Sequence, residues 1–190
     1  MSLFTRWLPT FLGFPVGGWL AVQAVGSVTG PGTAALTGAL AGAVIGTAQW
    51  LALRSHAVNP RWILHTAAGM TAGSALASVL TGAGTTVSAL VVSGLVTGTV
   101  VGAAQGVLLA RGRQVAAIWA VVVGAAWALA WFATSQVIVD AERGYVTFGA
   151  SGALLATVAT GAAVHRILGR RPVDGLIPES ASHPLPLVSR

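Results

Sequence analysis

The stretch GALAGAVIGTAQWLALR, residues 38–54, spaces three glycines four apart and then carries a glutamine, a tryptophan and an arginine at the end of an otherwise apolar run. At a constant offset of 56, GLVTGTVVGAAQGVLLA repeats it, with Gly38, Gly42, Gly46 and Gln49 matching Gly94, Gly98, Gly102 and Gln105. A degenerate third copy, GAAVHRILGRR from Gly161, matches GAAQGVLLARG from Gly102 but has Val164 where the glutamine stood. The intervening segments echo one another too: RWLPTFLGFPVGG from Arg6 is like RWILHTAAGMTAG from Arg61, and IWAVVVGAAWA from Ile118 is a weaker relative. Self-similarity at a fixed period implies successive copies of one supersecondary unit. The expected units cover about residues 1–55, 56–112 and 113–170.

Composition sets the solvent. Of 190 residues, 55% are hydrophobic and 7% charged, against about a quarter charged in soluble domains. Mean hydropathy is +0.81, and several apolar runs reach about 20 residues, the length that spans a bilayer core. Reading those runs between arginines or Gly/Pro breaks gives six spans: 7–27, 33–53, 62–80, 85–110, 115–139 and 145–168. The fold expected is all-α and polytopic, six transmembrane helices as three parallel two-helix repeats around a pseudo-threefold axis. VQA at 22–24 resembles a signal-peptide cleavage site, but cleavage there would remove half of the first unit and leave five helices. Residues 171–190 hold four of the eight prolines and read as an extended or disordered cytoplasmic tail.

All ten basic residues are arginine, and the formal charge is +6. They flank apolar runs instead of interleaving with aromatics, which points to lipid phosphates and away from nucleic acid. Arg6, then Arg54 and Arg61, then Arg111 and Arg113, then Arg166, Arg170 and Arg171 fall on alternate connections, while the opposite loops carry no charge except Asp140, Glu142 and Arg143. Cytoplasmic loops keep positive charge. Both termini are therefore expected in the cytoplasm of a bacterial inner-membrane protein. With no cysteine, thiolate chemistry and disulfides are excluded.

The glycine stripe has a physical use. Residues four apart on an α-helix step by about 40°, so Gly38, Gly42, Gly46 and Gln49 share one narrow face. Lipid gives helices no hydrophobic reason to associate, and glycine lets backbones approach closely. Gly38, Gly42, Gly46, Gly94, Gly98, Gly102 and Gly161 are thus expected to pack helices. Gln49 and Gln105 end their stripes inside the arginines, where each amide must find a partner. The bland expectation is that they bond each other or a neighbouring carbonyl. The alternative makes Gln49, Gln105 and His65 a ligand site, a polar vestibule or a pigment holder. Trp7, Trp50 and Trp62, beside Arg6, Arg54 and Arg61, and likewise Arg111, are expected at the membrane interface. Trp119, Trp127 and Trp131 form an aromatic stripe on the fifth span that faces lipid, a partner or an apolar molecule, and Pro15 should bend the first span.

No Asp or Glu lies inside any of the six runs, although proton relays and ion-coupled carriers place one there. No histidine pair has metal-ligand spacing, and no nucleophile stands with a base. No enzyme activity, metal or cofactor is expected.

The pattern G-x-x-x-G-x-x-Q-W-L-x-L-R at Gly42 to Arg54, followed by the tryptophan-started helix at Trp62 with Gly69 and Gly73, resembles small bacterial multi-span membrane proteins. That resemblance is in organisation, covers units one and two, and implies no activity. Six spans and this length are also similar in size to the substrate-binding subunits of energy-coupling vitamin importers, without a shared motif. The function expected is a non-enzymatic structural or accessory subunit or scaffold, with membrane lipids, other membrane subunits or further copies of itself as partners. The alternatives are a carrier or channel for a small neutral or apolar solute, or a pigment-binding subunit.

Overall fold

The computed structural model of the chain describes residues 2–137 and 150–169. The loop with Asp140, Glu142 and Arg143 and the expected tail at 171–190 lie outside the described residues. The helices are α1 (Leu3–Trp7), a five-residue 3-10 segment (Leu8–Leu12), α2 (Gly13–Val25), α3 (Pro31–Leu53), α4 (Arg61–Thr81), α5 (Val87–Gly106), α6 (Arg113–Val137) and α7 (Ala150–Gly169). With α1, the 3-10 segment and α2 forming one span, six helices are long and apolar enough to cross a bilayer.

Local chemistry starts and stops them. Ser2 Oγ accepts from the Thr5 N–H at the head of α1, and Thr86 Oγ1 from the Ala89 N–H at the head of α5. At α3, Pro31 takes a first-turn position, where its missing N–H costs nothing, and Thr33 Oγ1 accepts from the Thr29 and Gly30 amides. Asn59 Oδ1 accepts from the Arg61 N–H. Inside the spans, threonine hydroxyls of residues 47, 66, 71, 81, 99 and 160 donate to carbonyls four residues back, so few polar atoms face lipid unpaired.

The spans pack in chain order, each against the next, and α7 returns to contact α1, the 3-10 segment and α2. The bundle is therefore a closed ring, and its alternating direction puts Arg6, Arg54, Arg61, Arg111, Arg113 and Arg166 at one end. Its surface is the reverse of a soluble domain: Leu64 is 68% exposed and Val121 67%, while Gln49, Gln105, Thr66, Thr157 and Thr160 are buried. Soluble monomers rarely expose continuous apolar surface. The ring has the make-up of a multi-pass membrane protein.

The first span is interrupted by the 3-10 segment, which contains Pro9, while Pro15, the expected site of a bend, stands inside α2. Five residues of 3-10 helix turn through about 600°, as six residues of α-helix do. Trp7 and Gly13, six apart, can thereby present the same relative faces as Trp62 and Gly69, seven apart. Gly13 and Gly69 do the same job: a Cβ on Gly13 would lie 3.3 Å from Ile45 Cα, and one on Gly69 2.8 Å from Val101 Cα.

Candidate functional site

The glutamines meet at the arginine-bearing end, inside the ring. Gln105 donates through Nε2 to Gln49 Oε1 at 2.9 Å and to Thr66 Oγ1 at 2.9 Å. Gln49 Oε1 also accepts from Trp62 Nε1 at 3.1 Å, and Gln105 Oε1 accepts from Trp119 Nε1 at 3.1 Å. Thr66 completes the network by donating to the Trp62 carbonyl. Both amide hydrogens of Gln105 and both acceptor positions of Gln49 Oε1 are committed to protein partners. The two amides bond to each other, as the simpler of the two expectations has it.

Beside the amides three indoles pack together in the buried core. The Trp7 and Trp119 rings are 6.4 Å apart and edge-on at 77°, and Trp62 and Trp119 are 6.4 Å apart, tilted at 52°. Farther along, Phe14 and Trp127 pack at 5.5 Å. Such edge contacts suit aromatic quadrupoles. Trp7 Nε1 donates to Thr160 Oγ1 at 3.1 Å, so the third indole is paired on α7, one turn before the buried Val164.

Two expectations need correction here. Trp7 is 1% exposed and Trp62 0%, so neither side chain faces lipid headgroups. A step of one residue rotates a helix by about 100°, which sends Arg6 and Arg61 outward and the adjoining indoles inward. Trp50 is partly buried and donates to the Val58 carbonyl, closing the α3–α4 connection. Likewise the fifth-span stripe is not a lipid face at Trp119 and Trp127, which are buried. His65 bonds through Nδ1 with the Arg61 carbonyl of its own helix, whereas Gln49 and Gln105 bond each other. Arg54, just past α3, Arg61, opening α4, and Arg111, on the α5–α6 connection, are exposed.

The glycines sit at close backbone crossings. A Cβ would lie 2.8 Å from Ala67 Cα at Gly42, 2.9 Å from Thr66 Cβ at Gly46, and 2.5 Å from the Met70 carbonyl oxygen at Gly38. On α5 it would lie 2.7 Å from the Trp127 oxygen at Gly94, 2.8 Å from the Val123 oxygen at Gly98 and 2.7 Å from Ala120 Cα at Gly102. A Cβ on Gly161 would lie 2.7 Å from Cδ1 of the Trp7 ring. Each stripe therefore faces the following odd span, not another even one. Contacts also recur in register: Gly46 with Ile63 and Thr66 against Gly102 with Ala120 and Val123, and Gly17 with Ala41 against Gly73 with Thr97.

Reasoning from the sequence missed Thr66, Trp119 and Thr160 as polar partners. The signal available was the glutamine-to-tryptophan spacing, 13 residues from Gln49 to Trp62 and 14 from Gln105 to Trp119. Among the described residues, no cluster of His, Cys, Asp or Glu has the make-up of a metal site. No protein-family model, curated protein or solved structure matches the chain.

Proposed function

We propose that this chain is a non-enzymatic component of a bacterial inner membrane, a structural or accessory subunit that works through helix packing. The carrying observation is that Gln105, a buried amide, spends both amide hydrogens on Gln49 and Thr66. A ligand would have to displace bonds already made. Trp7, Trp62 and Trp119 pack against one another in the core, which argues against a solute path between them and leaves the carrier or channel reading without a supporting feature.

The same reading takes the fold as three parallel two-helix repeats related by a pseudo-threefold axis. Its support is the recurrence of the glycine contacts in register and of the glutamine-to-indole bond. At the third corner Val164 replaces glutamine and Thr160 accepts from Trp7. The tight crossings α3–α4, α5–α6 and α7–α1 then form one class, and the chain ends interrupt the third. Its organisation also fits the resemblance to small bacterial multi-span proteins.

Purification of the full chain in mild detergent tests the function. Self-association or a stoichiometric membrane partner is expected by light scattering. A lone monomer that retains neither would overturn the subunit reading, and a visible absorption band would replace it with a pigment-binding one.

A further inference from the structure

A groove of about 470 Å³ opens where the 3-10 segment runs past the arginine-bearing end of α3, lined by Arg6, Pro9, Thr10, Ala48, Leu51 and Arg54. Its chemistry is divided along its length. Arg6 and Arg54 are exposed at the mouth, and Ala48, six residues up α3 from Arg54, lies about 9 Å deeper at helical rise. The wall between is apolar apart from Thr10. Arg6 Nη1 donates to Ser55 Oγ at 2.6 Å, which fixes one guanidinium at the mouth and leaves its other donors available. Among the described residues there is no Asp or Glu to neutralise either arginine. Thr10, buried in the groove wall, ends in a hydroxyl with no hydrogen-bond partner.

We infer that this groove binds one anionic phospholipid, its phosphate between Arg6 and Arg54 and an acyl chain along Pro9, Ala48 and Leu51. The inference rests on the membrane reading of the helices. Guanidinium donors match phosphate oxygens in pairs, and basic pockets between spans are suited to anionic headgroups. The apolar wall commits the site to a lipid and not to a free anion. Leu51 is exposed beside Arg54, so the chain would leave the groove directly into the surrounding bilayer.

Native mass spectrometry of the full chain, titrated with phosphatidylglycerol, phosphatidylcholine or inorganic phosphate, reads the site. One phosphatidylglycerol should be retained in preference to phosphatidylcholine. Arg6→Gln with Arg54→Gln should weaken that retention by about tenfold or more, while Arg111→Gln with Arg113→Gln, the same charge change on the α5–α6 connection, should change it less than about threefold. In the unaltered protein, a phosphatidylglycerol with a diazirine in its acyl chain should label α3 around Leu51, which decides the matter even if the arginine variant misfolds. Equal losses in both arginine pairs, equal retention of phosphatidylcholine, competition by inorganic phosphate at equal concentration, or label spread evenly over the spans would each overturn the inference. None of these outcomes touches the packing reading, whose test measures association and not lipid.

Discussion

Gln105 joins three helices: it donates to Gln49 on α3 and Thr66 on α4, and accepts from Trp119 on α6. Interhelical hydrogen bonds in a membrane average about 0.6 kcal/mol each, because the unfolded spans also find partners in the bilayer. Three such bonds make Gln105→Ala cost about 2 kcal/mol, and the two bonds to Gln49 make Gln49→Ala cost about 1 kcal/mol. Since one bond is common to both, the double variant should lose less than the sum, by roughly the strength of that bond. Unfolding of the four proteins in mixed micelles measures this cycle. Full additivity would mean that the two amides do not interact, and unchanged stability in Gln105→Ala would remove the network as a source of cohesion.

Along the helices, glycine has two meanings that the sequence does not separate. At Gly42 an added methyl would lie 2.8 Å from Ala67 Cα, and at Gly98 2.8 Å from the Val123 oxygen, whereas at Gly18 nothing lies within 4 Å. Backbone atoms cannot yield as a flexible side-chain end can. Gly42→Ala or Gly98→Ala should therefore separate the crossing helices and lower the melting temperature in detergent. Gly18→Ala should hold or raise it, since alanine is favoured over glycine in a helix interior by up to about 1 kcal/mol. A similar loss in all three variants would contradict the close-crossing account. Much of this architecture is legible in the sequence: the run lengths locate six spans, and the glycine spacing marks the faces that touch. What touches them is not, because a stripe at helical spacing shows which way a face turns relative to its own axis and not which neighbour it meets. Trp7 and Trp62 were unreadable for a related reason. An arginine beside a tryptophan has the composition of a membrane interface, but only the fold shows that the two side chains leave the helix in different directions.

Across the whole molecule, closure of the ring depends on the ends of the chain. α7 reaches α1 through Gly161 against the Trp7 ring and through the bond from Trp7 to Thr160. That contact needs the first and last spans to run antiparallel, so an even number of spans brings residue 2 and residue 169 to the same end. The arginines then decide which side that end faces. From the rule that positive charge is retained in the cytoplasm, we propose that the α3–α4 connection, with Arg54 and Arg61, lies inside and the α4–α5 connection outside. Because the chain has no cysteine, single substitutions can report this without a background. In intact cells a membrane-impermeant maleimide should label Thr85→Cys, on the exposed α4–α5 connection, and should leave His56→Cys unlabelled until the membrane is permeabilised. The opposite pattern would mean that the arginines face outward. Labelling of both in intact cells would mean that α4 does not cross the bilayer, and the ring could not then stand as a six-span bundle.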